Sequence, residues 1–273
     1  MRPAPTTAVI VTTYNRPDAL RAVLDGYRVQ NHASFELLVA DDGSGDATRD
    51  LVEAYARDAP FALRHVWQED QGFRAGAARN RALAQTRADY VIFSDGDCVP
   101  PPSFVRRHVE LAEPGYFLAG NRVLLSESFT ADVLAQALPI YRWRTARWIA
   151  AWLARDVNRA LPLVRLPDGA FRKNTPDRWD GVKTCNFAAW RADLLRVNGF
   201  DERYSGWGLE DSDLVLRLLH AGVRHKSARF AAPLFHLWHR ENDRTLLPEN
   251  QARLDELLAS DRIAALQGLD RYS

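Results

Sequence analysis

Short apolar runs alternate with helix-forming stretches through the first third of the chain. The apolar runs, which have the length and the β-capable residues of buried strands, are 8–13, 35–40, 61–67 and 90–93. The stretches between them that we expect to be helical are 19–29, 46–57 and 74–86. Strands that alternate with helices are joined by right-handed crossovers. The pattern therefore predicts an α/β fold with a mainly parallel sheet.

Polar clusters follow three of these strands at the point where each strand ends. The clusters are Thr13-Tyr14-Asn15-Arg16, Asp41-Asp42-Gly43-Ser44 and Asp95-Gly96-Asp97. In a doubly wound sheet those three ends open on one crevice, where such folds bind their ligands. Taken singly, Asp41 and Asp42 suit a helix cap or an Asx turn, and Arg79 suits a solvated helix face. The convergence of the three clusters favours a binding site instead.

The chemistry of these clusters fits a nucleotide diphosphate. Tyr14 offers an aromatic face for a base, and Asp41 can accept a hydrogen bond from an imide N–H such as that of uracil. Arg74 can pair with phosphate oxygens. Asp95 and Asp97 offer the oxygen ligands that hard divalent cations need, and such a cation can hold a diphosphate that carboxylates alone would repel.

Charge and cysteine content narrow the class of protein. The chain has 273 residues and a formal net charge of +1, which argues against nucleic-acid binding by bulk electrostatics. Two cysteines, Cys98 and Cys185, argue against a disulfide scaffold and suit a reducing compartment. No secretory signal precedes Val9, and no apolar stretch is long enough to span a bilayer. We expect a cytoplasmic protein that could touch the cytoplasmic face of the inner membrane.

A basic, tryptophan-rich segment interrupts the α/β pattern after residue 125. Between 139 and 178 it carries eight Arg and one Lys against three Asp. Helical spacing would give this segment one apolar face, made of Ile149, Leu153, Val157, Ala160 and Leu161. Beside that face we expect Trp148 and Trp152, next to Arg144, Arg155 and Arg159. The segment is either a helix that packs on the sheet with solvated arginines or a surface that docks an anionic lipid-linked acceptor or membrane.

A glycine-tryptophan-glycine string precedes an acidic helix start in the second half of the chain. Trp207, between the two glycines, offers a flat face of the kind on which sugars stack. Glu210 and Asp211 follow at the start of a helix that we expect to continue over 214–221. Carboxylates stabilise a helix N-terminus in any protein, but that does not explain glycines that let the backbone approach a ligand.

Two histidines follow an extended stretch near the end of the chain. His236 and His239, three residues apart, could meet one ion, and imidazole suits Mn²⁺. After them the sequence predicts a terminal helix over 246–269.

The motifs of the first half resemble those of the nucleotide-sugar lobe of family 2 glycosyltransferases, which have the GT-A fold. The matching pieces are V-x-T-Y-N-R, V-A-D-D-G-S, Q-G-x-R-x-G-x-A-R-N and D-x-D, all within residues 8–104. The resemblance implies that Asp41 reads the base and that Asp97 binds a metal ion. Together with the chemistry above it gives a donor-binding set of Thr13, Tyr14, Asn15, Arg16, Asp41, Arg74, Asp95 and Asp97.

The G-W-G-L-E-D string resembles the G-W-G-x-E-D motif of β-galactosyltransferases and chondroitin-polymerase-like enzymes, and residues 186–202 match the pattern that precedes it. This resemblance implies that Asp211 is the catalytic base and that Glu210 contacts the acceptor, with Trp207 beside it. It also implies that the remaining metal ligand comes from the histidine pair, with His239 as the first choice and His236 as the second.

The two resemblances imply a GT-A mixed sheet flanked by helices, with a helical Trp/Arg-rich insertion. The implied parts are a nucleotide-sugar-binding half (1–125), the insertion (126–180), an acceptor and catalytic half (181–245) and a terminal helix (246–273). The implied activity is a metal-dependent inverting glycosyl transfer, with Mn²⁺ or Mg²⁺, from a UDP-sugar to a glycan or lipid-linked saccharide hydroxyl. The pathway would be bacterial surface polysaccharide or lipopolysaccharide biosynthesis, without a nucleic-acid partner.

Three other classes of protein share some of these features. A metal-dependent nucleotidyltransferase has a similar layout, but it normally carries a glycine-rich loop with a basic residue where this chain has Thr13 to Arg16. A glycosidase could use Glu210 or Asp211 with a second carboxylate, without a metal ion or a diphosphate crevice. A non-catalytic carbohydrate-binding protein would keep Trp207 without needing the acidic and imidazole groups together.

Overall fold

A seven-stranded mixed sheet runs through the centre of the computed structural model, which describes residues 4–32, 34–241 and 243–272. In spatial order its strands are β3 (Ala62–Trp67), β2 (Glu36–Asp41), β1 (Thr7–Thr13), β4 (Tyr90–Asp95), β8 (Asn186–Trp190), β6 (Tyr116–Ala119) and β9 (Arg224–Ser227). The strands β3, β2, β1 and β4 are parallel, and β8 is antiparallel to both of its neighbours. The predicted α/β class with a mixed sheet is confirmed.

Helices cover both faces of this sheet. The α-helices are α1 (Pro17–Arg28), α2 (Asp46–Ala56), α3 (Ala75–Gln85), α4 (Phe104–Leu111), α5 (Glu127–Ala135), α6 (Thr145–Leu153), α7 (Arg191–Arg196), α8 (Glu210–His220) and α9 (Leu247–Leu258). The central residues 8–11 of β1 are all apolar because both of its faces are buried. Val9 belongs to the core that includes α1, α2 and α4, and Ile10 belongs to the core that includes α3, α7 and α8.

A second, three-stranded sheet lies beside the first and carries candidate metal ligands. Its order is β5 (Cys98–Val99), β10 (Leu234–His236) and β7 (Arg122–Leu124). The apolar stretch 116–125, which the sequence suggests is one strand, divides between the two sheets as β6 and β7. The chain turns at Gly120, where a Cβ atom would lie 2.3 Å from the side-chain oxygen of Asn186. Only glycine permits that approach.

The helix predicted in the insertion is shorter than its periodicity suggested. It ends at Leu153 in a Schellman motif, in which the Asp156 N–H donates to the Ala151 carbonyl at 2.9 Å and Arg155 takes a left-handed φ of 65°. The chain then reverses, and Val157 forms a β-bridge with Leu125. The predicted apolar face through residue 161 is therefore wrong. Short 3₁₀ helices follow at Leu161–Leu163 and Ala170–Lys173.

The two tryptophans of α6 lie in opposite environments. Trp148 is buried, and its ring stacks on Phe235 with centroids 4.0 Å apart. Trp152 leaves 46% of its surface exposed. The expectation that both lie on an outer flank is therefore wrong for Trp148, which belongs to the core and ties the insertion to the small sheet.

Replacing Trp148 with alanine is expected to lower the free energy of unfolding by about 3–5 kcal/mol, because it leaves a large cavity against Phe235. The matched change Trp152→Ala removes an exposed ring and should shift stability by less than about 0.5 kcal/mol. Urea unfolding followed by circular dichroism measures both. Equal effects of the two changes would contradict this account of the insertion.

The chain does not end in one long helix. Helix α9 stops at Leu258, and a 3₁₀ turn, Leu269–Tyr272, packs against α3. The predicted helix over 246–269 is therefore wrong in its second half, where Gly268 passes so close to Asn198 that a Cβ atom would lie 2.0 Å from its carbonyl oxygen. None of the helices in the part of the chain that the structure describes combines the length and the apolar character needed to cross a bilayer.

Candidate active site

A cleft of about 440 Å³ opens at the carboxyl ends of β1 and β4. Its other walls come from the small sheet and from the loop before α8. The predicted residues that line it are Thr13, Tyr14, Arg16, Asp95, Asp97, Trp207, Glu210, Asp211, His236 and His239. The sheet topology thus brings candidate residues from both halves of the sequence to one crevice.

The second aspartate of the D-x-D motif meets both histidines at the bottom of the cleft. The Oδ2 atom of Asp97 lies 3.3 Å from Nε2 of His239 and 3.6 Å from Nε2 of His236. Strand pairing produces this approach, because Cys98 pairs with His236 across β5 and β10 and the Leu237 N–H donates to the Asp97 carbonyl at 2.8 Å. The three side chains can therefore reach one ion.

The hydrogen bonds of this cluster suit a divalent cation. Nδ1 of His239 lies 2.8 Å from the Arg240 carbonyl, which can only accept, so Nδ1 carries a proton and Nε2 is the ring nitrogen available to a metal ion. Burial lowers the pKa of His236, although the nearby Asp97 raises it in part. Two imidazole lone pairs and a carboxylate that face one another form a donor set for Mn²⁺ or a similar ion.

Arg79 lines the cleft and contacts carboxylates from two segments, the D-x-D loop and the start of α8. Its side chain is buried, with 4% of the residue exposed. One guanidinium nitrogen lies 3.1 Å from Asp95 Oδ1, and the other lies 3.3 Å from Glu210 Oε1 and 4.0 Å from Asp211 Oδ1. Its Nε–H donates to Thr12 Oγ1 at 3.0 Å. One cation therefore holds the D-x-D loop and the start of α8 together.

Two of the acidic groups around Arg79 have raised pKa values. Burial raises the pKa of Asp95 to about 6, although Arg79 opposes the shift. Burial and the charge of Asp211 raise the pKa of Glu210 to about 7, again against the effect of Arg79. Crowded carboxylates of this kind occur at structural ion-pair networks as well as at catalytic sites, so their positions decide which role fits.

Asp211 lines the cleft at the start of α8, where it is held in one orientation. The Thr184 hydroxyl donates to its Oδ1 atom. Across residues 4–32, 34–241 and 243–272, its Oδ2 atom receives no hydrogen bond. A carboxylate fixed through one oxygen and open at the other can accept a proton from a bound hydroxyl.

Two family models match the sequence. The model described as "Glycosyl transferase family 2" matches residues 8–164, and the model described as "N-terminal domain of galactosyltransferase" matches residues 169–240. The first match alone spans more than half of the chain. The chain belongs to glycosyltransferase family 2.

Curated relatives of this glycosyltransferase domain act on several sugars. Validoxylamine A glucosyltransferase of Streptomyces hygroscopicus subsp. jinggangensis is 32% identical over 80% of the chain and 52% of its own length. Hyaluronan synthase of Pasteurella multocida is 29% identical over 81% of the chain and 23% of its own length. Chondroitin synthase of Escherichia coli is 28% identical over 82% of the chain and 34% of its own length. The chain thus spans about half the length of the first relative and less of the other two.

Solved structures of similar shape support the GT-A fold. S. aureus TarS in complex with UDP has a TM-score of 0.63 at 17% identity, over 98% of this chain and 68% of that one. The mannosyltransferase PcManGT of Pyrobaculum calidifontis, solved with GDP-Man and Mn²⁺, has a TM-score of 0.63 at 19% identity, over 94% and 64%. At these identities the likeness concerns the fold alone.

Three predicted donor residues of the family 2 domain do not line the cleft. Asp41 is fully buried, where its Oδ1 accepts from the Ser44 N–H and its Oδ2 lies 2.8 Å from His65 Nε2. Asn15 joins the first two polar loops, because its side chain accepts from the Gly45 N–H at 3.0 Å. The guanidinium of Arg74 donates to the Glu69 carbonyl at 2.7 Å. Their roles toward a donor stay predictions.

Other cleft residues of the glycosyltransferase domain were not among the candidates. Taken singly, Arg79 suited a solvated helix face, and its burial in the cleft excludes that alternative. The only signal for Arg79 was its place in the Q-G-x-R-x-G-x-A-R-N motif. Arg122 and Lys183 also line the cleft, and nothing in their local sequence distinguishes them from surface cations. Thr184 was also missed, because nothing in its local sequence marks it as the partner of Asp211.

Proposed function

We propose that this chain is a metal-dependent, inverting glycosyltransferase that moves a sugar from a UDP-sugar to a hydroxyl of a glycan or lipid-linked saccharide. The observation that carries the proposal is the pairing of two groups in one cleft. The Asp97–His236–His239 cluster, which we assign to the donor, and Asp211, which is held by Thr184 and which we assign to the acceptor, line the same cleft. A leaving-group site opposite a base is the arrangement that an inverting displacement requires.

The donor proposal draws on several relatives. The TarS structures contain UDP and UDP-GlcNAc, and validoxylamine A glucosyltransferase names glucose as its sugar. Hyaluronan and chondroitin synthases support a role in bacterial surface polysaccharide or lipopolysaccharide biosynthesis. PcManGT with GDP-Man makes GDP-sugars the alternative donors. A cytoplasmic location at the inner membrane surface is part of the same proposal.

The protein's own residues divide the work of the transfer. Asp97, His236 and His239 would hold a divalent cation. When bound, that cation would neutralise the charge that develops on the departing nucleotide diphosphate. Asp211 accepts the proton of the acceptor hydroxyl as that oxygen attacks the anomeric carbon. Thr184 fixes the direction in which Asp211 faces. Trp207, which lines the same cleft, presents a ring on which the acceptor sugar can stack.

Asp41 enters the donor site differently from the cleft-lining residues. Because it is fully buried, a direct contact with the uracil base requires the loop over it to move when the donor binds. In the absence of such movement, Asp41 supports the donor loop through the Ser44 N–H. Tyr14, whose ring is exposed and whose hydroxyl donates to Asp70 at 2.8 Å, offers the stacking surface for the base.

Removing divalent metal is expected to abolish the transfer and weaken donor binding, because the diphosphate would then face Asp95 and Asp97 without a cation. UDP release is measured with UDP-glucose, UDP-galactose, their N-acetylamine forms and GDP-mannose, first in Mn²⁺ and then in EDTA. Restoring Mn²⁺ should restore the rate. Asp97→Ala should weaken Mn²⁺-dependent binding of UDP in calorimetry. Full activity in EDTA would contradict the proposal and favour a glycosidase or a metal-free mechanism.

A further inference from the structure

Helix α6 turns an apolar surface outward instead of a polar one. It buries Trp148 and Ala151 against the body of the protein. On the other side Ile149, Trp152 and Leu153 are 44%, 46% and 71% exposed. Their spacing of three and four residues places them together on one side of the helix, here named the α6 face. Surface helices of soluble proteins normally carry charged or polar residues there.

Arginines without acidic partners form a border at the two ends of α6. The arginines of this border, all exposed, are Arg144, Arg147, Arg155 and Arg159. Within the described ranges none of the four forms an ion pair; Arg147 lies over the Trp143 ring and Arg159 donates to a backbone carbonyl. Between residues 139 and 167 the sequence contains one acidic residue, Asp156. The border therefore presents uncompensated positive charge.

We propose that the α6 face docks on an anionic lipid bilayer. The charge pattern favours this occupant over a second copy of the chain, because a two-fold contact through α6 would bring each arginine border against its own copy. Anionic headgroups complement the arginines, while the apolar side chains enter the boundary between headgroups and acyl chains. Trp152 suits that boundary, because its ring is apolar and its N–H can remain hydrated.

The α6 face is connected to the wall of the cleft. After α6 the Asn158 N–H donates to the Leu124 carbonyl, and the Leu124 N–H donates back to the Asn158 side chain, both at 3.0 Å. Arg159 donates to the carbonyl of Arg122 at 3.2 Å, and Arg122 lines the cleft. Docking would thus hold the cleft near the bilayer, where a lipid-linked acceptor is available, a step that rests on the proposed function.

Vesicle sedimentation tests the docking face directly. The full chain is mixed with vesicles of phosphatidylcholine alone or of phosphatidylcholine with phosphatidylglycerol. We expect sedimentation with the anionic vesicles only, and a decrease as salt is added. The double change Trp152→Ser with Leu153→Ser, and the double change Arg144→Gln with Arg155→Gln, should each weaken partitioning by about tenfold or more. Both pairs are exposed, so neither change should disturb the fold.

Matched controls lie on other surfaces. Leu258→Ser with Leu266→Ser removes equally exposed apolar side chains, and Arg57→Gln with Arg87→Gln removes two exposed cations. Both control pairs should sediment like the unchanged protein.

Three results would overturn the docking proposal. They are equal sedimentation with neutral and anionic vesicles, unchanged sedimentation of the two α6 variants, or a dimer in analytical ultracentrifugation that the Trp152 and Leu153 changes dissociate. Binding of UDP with Mn²⁺ is measured without vesicles and concerns the proposed transferase function alone. A loss of UDP binding and a loss of sedimentation with vesicles are therefore separate results.

Discussion

Replacing Asp211 with asparagine is expected to lower kcat by about a thousandfold while leaving the affinity for UDP and Mn²⁺ unchanged. Asparagine has the same shape, and its side-chain oxygen can still accept from Thr184. It cannot take the proton of an acceptor hydroxyl. The change therefore separates proton removal from donor binding, which depends on the opposite side of the cleft. Initial rates of UDP release and calorimetry with UDP and Mn²⁺ measure the two properties.

Two further variants make the Asp211 result specific. Thr184→Val keeps the carboxylate and removes its orienting hydrogen bond, so it should lower kcat by a smaller factor, about tenfold. Asp180→Asn changes an exposed carboxylate outside the cleft and should have no effect. Near-normal turnover of Asp211→Asn would show that another group is the base. A loss of UDP and Mn²⁺ binding in that variant would instead move Asp211 to the donor side.

The position of Asp97 at the cleft could be predicted from the sequence because it follows from a strand end. Asp97 follows an apolar strand that is buried on both faces, and such strands place their carboxyl ends at the ligand crevice. His236 ends a strand, and His239 follows in the next loop. Their partner strand, β5, is only two residues long and could not be recognised from its sequence. The position of the histidines opposite Asp97 was given by the family resemblance and then by the observed pairing.

Contacts across long separations were beyond the sequence patterns. Thr184 meets Asp211 across 27 positions, and no local feature marks either as the other's partner. Arg155 ends α6 in a left-handed conformation that usually signals itself by glycine, so the periodic pattern ran on past the true end. After that early stop the chain folds back, and Val157 forms a β-bridge with Leu125.

Arg79 shows most clearly why helical periodicity was an insufficient guide. Helix α3 is rich in alanine, and its residues from Ala75 to Asn80 are all buried. Its sequence therefore does not show which side of the helix faces solvent. The small side chains let the helix approach the sheet closely, which brings the Arg79 guanidinium into the cleft. The positive charge of Arg79 is compensated there by carboxylates from residues 95, 210 and 211.

Replacing Arg79 with methionine is therefore expected to lower kcat by about a hundredfold, because it releases the start of α8 from the D-x-D loop. The acidic limb of the pH–rate profile should move to higher pH. Arg79 lowers the pKa of Asp95 and of Glu210, so its removal raises both pKa values above about 6 and about 7 and keeps these carboxyls neutral over a wider range. Arg79→Lys keeps the charge without the forked geometry and should restore the pH profile more fully than kcat.

Stability measurements give Arg79 a readout that is independent of catalysis. In the folded variant the carboxyls would hold protons that the unfolded chain has already released, and stability falls with rising pH wherever the folded state binds more protons. The loss of thermal stability in Arg79→Met should therefore be smallest near pH 5 and grow toward about pH 8. Arg81→Met removes a cation from the same helix that lies over Tyr272, away from the cleft. Its stability loss should not depend on pH in this range, and an identical pH dependence in both variants would show that Arg79 does not compensate the cleft carboxylates.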